Sequence, residues 1–322
     1  MANIIVVVIG PPGYASELGK KGTSTDVTLY NAKKGENTVT FIEPTRYPER
    51  LAPLFFATSL AQKAIVVVDE LNSNFGECIL MLHCSNITGG YFILRNYITA
   101  ETIEPLIKGT KLEKFEFVQD NPTFLREELL KEAEQQETNT TVQTKPVGTV
   151  PIDHSFNVKG VGAVILGIVA DGTVKKHDNL RVLPPKKTAQ IRSIQKHDDE
   201  YETATQGDRV GFALKDTEVG DLERGTVLTT DPEIRSSKTI NSQANLLKYW
   251  QIPLKTGMNL HIGHWMQSIP AKIESIINNS DSRKPELALT LEKELIHLPG
   301  DKATLMYLEG GKLRVAGTIS LP

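Results

Sequence analysis

The chain reads as an α/β domain followed by two all-β domains, and three features predict this. Over about the first 135 residues, apolar strand-like runs alternate with helical segments. A polar, threonine-rich stretch, ETNTTVQTKPVGT, then breaks the pattern. Beyond it only short strands recur, with turn signals between them, as in a β-barrel or sandwich. The expected boundaries are 1–138 for the α/β domain, 139–149 for a linker, 150–232 for a first β-barrel and 233–322 for a second.

Ile4–Ile9 is a continuous β-branched run and predicts a buried strand; Gly10 to Gly22 predicts a glycine-rich turn. DVTLYN and NTVTFIE are two further strands joined by the polar turn AKKGE. LAPLFFATSLAQ has helical apolar spacing, and KAIVVVDE is another buried strand. GECILMLHCSN is helical, YFILRN a strand, and TAETIEPLIK a helix that Thr99 is placed to cap. FEFVQ is a last short strand before the charged helix NPTFLREELLKEAEQQ. Strands alternating with helices imply a mainly parallel sheet covered on both faces. After the linker, AVILGIVADGTVKKHDNLRVLP, TAQIRSIQKHD, DRVGFALKD and GTVLTTD supply the first β set, and a second begins near Ser236.

At 322 residues, 39% hydrophobic and 23% charged, the composition is that of a soluble globular protein. No apolar run approaches the ~18–20 residues that cross a bilayer, and Ile4–Ile9 is too short for a secretory signal. Cys78 and Cys84 form neither a disulfide framework nor a CxxC knuckle, and their apolar helical setting predicts core residues. These features predict a cytoplasmic protein. The formal charge of −3 is unevenly spread: 13 Lys/Arg against 18 Asp/Glu in residues 1–140, 12 against 13 in 141–232, and 11 against 8 in 233–322. A basic surplus toward the C-terminus favours nucleic acid only slightly.

The opening loop has the outline of a phosphate-binding loop without its parts. Such a loop is GxxxxGK[ST], in which backbone N–H groups wrap the phosphates and the hydroxyl holds magnesium. Here five residues rather than four separate Gly13 from Gly19, Lys20 is followed by Lys21 rather than Ser or Thr, and Pro11-Pro12 offer no N–H. Glu17 adds negative charge, and the next strand begins too soon for the expected helix. The run predicts a strand-to-turn connection without ligand, with an unusual nucleotide or anion site as the alternative.

The segment VPIDHSFNVKGVGAVILGIVADGTVKKHDNLRVLP, followed by IRSIQKHDDEYETATQGDRVGFALKDTEVGDLERGTVL, resembles domain II of translational GTPases of the elongation factor Tu group. NLHIGHWMQSIPAKI and the closing GKLRVAGTI resemble domain III, and among the group the selenocysteine-specific elongation factor and its archaeal relatives are most similar. The resemblance spans essentially the whole chain. It implies a degenerate P-loop GTPase-like α/β domain followed by two β-barrels. LGKKGTSTDVTLYN resembles the end of the family's switch I. In NTVTFIEPTRYPERL the acid of D-x-P-G survives as Glu43, while the glycine position falls near Arg46. Where N-K-x-D belongs, Arg95-Asn96-Tyr97-Ile98-Thr99 keeps only the asparagine. The vestigial nucleotide region is therefore Gly10, Gly13, Gly19, Lys20, Glu43 and Asn96, with no cofactor expected and GTP with magnesium bound only under the alternative.

The resemblance also implies a place for aminoacyl-tRNA on domain II. The selenol pocket of selenocysteine-specific factors falls on Asp153, His154 and Arg209, with Asp153 tuning the histidine; the other reading is a local ion pair on an exposed rim. The site of the terminal adenosine falls near Gln195, with an aliphatic side near Leu214. Lys186, Lys187, Arg192 and Lys196 form a basic run that would meet tRNA phosphates or simply be solvated. His261-Ile-Gly-His264 spells a synthetase signature, but in β structure it is coincidental. His261, His264 and His297 are not read as a metal site, because HxxH on a strand splays its side chains. The expectation is a non-enzymatic translation-associated protein that binds tRNA or another translation component through its barrels, with neither DNA nor membrane as partner. A slow, unconventional GTPase and a structural docking module are the alternatives.

Overall fold

The structure is a computed structural model that describes residues 3–139, 145–197, 199–277, 281–309, 311 and 313–322. Residues 140–144 of the expected linker lie outside the described residues. The chain divides into two compact units, Met1–Thr141 with Glu309–Val315, and Val142–Leu308 with Ala316–Pro322.

In the first unit, β1 (Asn3–Ile9), β2 (Lys20–Ser24), β3 (Val27–Lys34), β4 (Asn37–Pro44), β5 (Lys63–Val68), β6 (Gly89–Leu94) and β7 (Glu116–Val118) form one sheet ordered β2-β3-β4-β1-β5-β6-β7. The β4–β1–β5–β6–β7 part is parallel, and β2–β3–β4 is an antiparallel meander at one edge. β1 lies at the centre, which is why its apolar run is unbroken: every residue from Asn3 to Ile9 is buried. Ile4, Val6 and Val8 pack with Leu125, Leu129, Leu130 and Ala133 of α4 (Pro122–Asn139). α1 (Ala52–Ser59) buries Leu54 and Phe55 and packs against β3, β4 and α2 (Ser73–Cys84). α3 (Ala100–Ile107) buries Ile103 and Ile107.

Two local expectations change here. The glycine-rich stretch holds only a 3-10 turn, Tyr14–Glu17, and its lysines belong to the edge strand β2. Gly19 permits this, since a Cβ there would lie 2.9 Å from the Asn31 backbone. Thr99 occupies the N-cap position of α3, but its hydroxyl meets Thr102 Oγ1 at 3.2 Å instead of capping a helix N–H. Within the same unit, Arg314 of the Glu309–Val315 segment grips buried Glu77 of α2, with Nε at 3.0 Å from Oε1 and Nη2 at 2.6 Å from Oε2.

The second unit holds two closed six-stranded barrels. The first runs β8 (Gly148–Val158), β16 (Val227–Thr229), β11 (Asn179–Leu183), β12 (Lys187–Lys196), β15 (Arg209–Lys215) and β9 (Gly162–Ile168), closing where β9 returns to β8. β10 (Asp171–Lys175), β13 (Asp199–Tyr201) and β14 (Thr203–Thr205) are short additions at its margin. Inward residues such as Val150, Ile165, Val182, Ile191 and Phe212 fill it. The second barrel closes in the order β17 (Arg235–Leu246), β20 (Glu286–His297), β19 (Gln267–Ile277), β18 (Asn259–His264), β21 (Lys302–Met306) and β22 (Val315–Ser320). Full closure leaves no free edge for unwanted pairing. Among the described residues, no helix is long and apolar enough to cross a membrane.

Candidate functional site

In a parallel sheet the loops after the strands gather at one edge, where α/β proteins place ligands. Here the loops after β1, β4, β5, β6 and β7 do so. Gly10 leaves β1 against β5, where a Cβ would sit 2.6 Å from Val67 Cβ. Gly13 has φ 88°, and its amide donates to Glu43 Oε1 at 2.5 Å. Four further loop donors also turn inward. Tyr14 N–H reaches Pro11 O at 3.3 Å, Ser16 N–H reaches Gly13 O at 3.0 Å, and the Leu18 and Gly19 amides reach Ala15 O at 3.1 and 3.3 Å.

Glu43 comes from the end of β4, opposite Thr28 of β3, and is only 6% exposed. Its second oxygen, Oε2, is shut off from solvent. Burial first, and then the charge of Glu43 and a hydrogen bond to that carboxylate, push the Tyr30 phenol above its ordinary pKa. Lys20 and Lys21 are exposed on β2. A cavity of about 620 Å³ opens beside the loop, bounded by Gly10 to Gly13, Thr28, Glu43, Tyr47 and the end of β5.

The base-reading position is occupied by a different network. Tyr14 donates its hydroxyl to Asp120 Oδ1 at 2.9 Å, and Arg95 lies over the Tyr14 ring at 5.3 Å. The Arg95 guanidinium holds Asp120 at 2.6 Å and approaches Asp69 at 3.7 Å. Asn96 turns with φ 53°, and its amide donates to the Asp69 carbonyl at 2.9 Å. Tyr14 is pushed up mainly by burial, then by its bond to Asp120.

The first barrel carries the other candidates. Arg209 and Asp153 form a bidentate pair, with Nη2 to Oδ1 at 3.0 Å, and both side chains are largely buried. Asp153 falls at a bulge between Ile152 and His154, and Arg224 Nε donates to its carbonyl at 3.2 Å. Asp153 is therefore engaged by Arg209, and the pair is buried rather than on an exposed rim. His154 is half-buried, 6.0 Å from the Phe156 ring. Gln195 is exposed on β12. Leu214, 3% exposed, belongs to the barrel core and offers no aliphatic surface for an adenosine. The basic run also divides. Lys186, Lys187 and Arg192 are exposed, Lys187 bound at 2.8 Å to both oxygens of Asp221. Lys196 is instead buried on Asp208 at 2.5 Å, out of reach of any phosphate.

Two histidines of the second barrel, His264 and His297, have structural partners. His264 Nε2 lies 3.1 Å from Asp301 Oδ2, while His297 meets Ser237 Oγ at 2.8 Å and the Leu298 carbonyl at 2.9 Å. Cys78 and Cys84 are free, and burial pushes each thiol up to about 12.

Residues 162–229 match the family model for elongation factor Tu domain 2. The uncharacterized protein MJ0325 of Methanocaldococcus jannaschii is 38% identical over 306 residues, which is 95% of this chain and 94% of that one. The selenocysteine-specific elongation factor of the same organism is 32% identical over 178 residues, half of this chain and 37% of that factor. The chain belongs to the translational GTPase superfamily. The crystal structure of translation elongation factor SelB from Methanococcus maripaludis with the GTP analogue GPPNHP superposes with a TM-score of 0.81 at 20% identity, covering all of this chain and 79% of that one. At that identity the likeness shows the fold.

Within the superfamily fold, sequence reasoning missed the residues that make the loop self-sufficient. The Glu43–Gly13 bond joins positions 30 apart, and Tyr14–Asp120 joins positions 106 apart. The signal available for the first was Glu43 itself, the one charged residue of its strand, placed near the strand's end.

Proposed function

We propose that this chain is a translation-associated binding protein whose G-like domain, residues 1–138, does not bind nucleotide in the manner of its relatives. In this reading the barrels at 150–232 and 233–322 hold tRNA or another translation component. The observation that carries it is Glu43 on the Gly13 amide. A phosphate-binding loop must leave its N–H groups free to point at an anion. Here one is taken by a carboxylate of the same chain, others by loop carbonyls, and Pro11 and Pro12 have none. A phosphate would have to displace a buried negative charge.

Calorimetric titration with GTP and with GDP, magnesium present, tests the first half. The expected result is no saturable heat; micromolar binding would overturn the reading. The second half is tested by filter binding of aminoacyl-tRNA to wild-type protein and to variants His154→Ala and Arg192→Ala. Weaker retention by both variants supports the barrel surface, and undetectable binding by the wild type sinks it. Arg209→Ala is the wrong probe, because removing that guanidinium strands Asp153 and changes the fold before it changes the surface.

A further inference from the structure

The sheet of the first unit is open, with β2 at one end and β7 at the other. β7 is three residues long, and so short an end strand offers little to pair with. β2 is five residues long, pairs with β3 alone among the described strands, and leaves Lys20, Lys21, Gly22 and Ser24 exposed. The outer side of an end strand presents a row of backbone N–H and C=O groups. Where β2 begins, a cavity of about 520 Å³ lies between the end of β3 and α4, and Lys20, Lys33, Lys34 and Arg126 line it together with Glu17 and Glu127.

The charge at this edge runs against that of its domain. Residues 1–140 carry 13 Lys/Arg and 18 Asp/Glu. Yet five of those 13 cations, Lys20, Lys21, Lys33, Lys34 and Arg126, lie on β2 or line this cavity, with two acids among the same residues. One of the two, Glu127, is already held by Lys34 at 2.8 Å. Lysines on an end strand repel a second copy of that strand, and by the same charge they select an acidic one.

We propose that β2 accepts an extended acidic peptide segment of another protein as an added strand of this sheet. Backbone hydrogen bonds along β2 would hold the segment, and its carboxylates would meet Lys20 and Arg126 on the side of α4. A phosphate backbone fits less well. It accepts hydrogen bonds without donating them, so it would meet the lysines and leave the outer carbonyls of β2 to water. Among the described residues, no aromatic side chain lines the cavity to stack a base.

The test is fluorescence anisotropy of the full chain at low salt, with a fluorescein-labelled decapeptide of alternating glutamate and threonine. Wild-type protein should bind it saturably, and binding should raise amide exchange protection in residues 20–24. Lys20→Glu and Arg126→Glu should each weaken binding about fivefold. The same peptide N-methylated at alternate residues keeps its charge but cannot pair as a strand, and should bind about tenfold more weakly. That arm uses wild-type protein and stands even where a variant does not fold. No saturable binding, equal affinity for the N-methylated peptide, or affinity unchanged in both charge variants overturns the proposal. A decauridylate RNA that binds more tightly than the peptide, and is lost in Lys20→Glu, would make the edge an RNA site and also overturn it. Neither guanine nucleotide nor tRNA enters the experiment, so its failure leaves the reading of the loop and the barrels untouched.

Discussion

A charge taken out of water persists only where something replaces the water. Lys196 and Asp208 meet this at 2.5 Å, with Thr205 N–H on the same carboxylate at 2.8 Å and the Lys196 ammonium 4.8 Å from the Tyr201 ring centre. Asp153 and Arg209 meet it with a two-pronged contact. Breaking such a pair from one side leaves the other charge buried and alone. Arg209→Ala should therefore cost roughly 3–5 kcal/mol in urea unfolding. The double change Asp153→Leu with Arg209→Met should cost less than that single one, since it removes both charges and keeps the volume. If the double variant is the less stable, the pair contributes more than mutual neutralisation. His154→Ala, at a half-buried position outside the pair, should stay within about 1 kcal/mol of wild type.

At the scale of elements, β2, the edge strand of the meander β2–β3–β4, is held by backbone approach rather than by side-chain burial. β2 reads KKGTS and is almost wholly exposed, so its place depends on Gly19 passing the Asn31 backbone closely. Gly19→Ala puts a methyl 2.9 Å from that backbone and should lift β2 from β3. The measurable outcome is loss of amide exchange protection in residues 20–24 and their β3 partners, with β1 and β5 unchanged. Protection retained in β2 would mean that its pairing tolerates the displacement. The same contrast explains what the sequence made legible. β1, β5, β6 and the barrel strands were readable because burial on one or both faces forces apolar runs or alternation. β2 was not, since an edge strand of lysine, glycine and serine carries neither pattern. Leu214 and Lys196 were misplaced for a related reason. A resemblance assigns a position to a strand, but which face it takes and which partner meets it follow from bulges, such as that between Ile191 and Ser193, and from distant carboxylates. The Glu43–Gly13 closure went unread although both residues stand out in the sequence, because they meet only when β4 is laid beside β1.

Across the whole molecule, buried neutral groups set the pH range in which the fold is stable. Burial is the main cause that lowers the pKa of His261 and of His297 from the ordinary 6.5; for His297, the Leu298 carbonyl opposes it in part. As pH falls below 6.5 the unfolded chain takes up protons at these positions and the folded chain does so only at lower pH. Their contribution is complete above 6.5 and is lost as pH drops through the folded values. Cys78 and Cys84 act at the other end. Burial holds each thiol at about 12 against an ordinary 9.0, so their contribution is complete below 9.0 and is lost as pH climbs toward 12. Stability measured by urea unfolding should accordingly be flat between about pH 6.5 and 9 and decline on both sides. Each decline has its own signature variant. His297→Gln, which keeps a polar group beside Ser237, should shrink the acid decline, and Cys78→Ala should shrink the alkaline one at some cost in packing. An acid decline unchanged in His297→Gln would shift that limb to other groups. Asp301 is one of them. Burial, the largest single influence, raises its pKa, but the bond to and charge of His264, the Leu298 amide and the charge of His297 together outweigh it and hold the carboxyl below its usual 3.8, so the stability it adds is present above 3.8 and is lost as pH falls through that lower value.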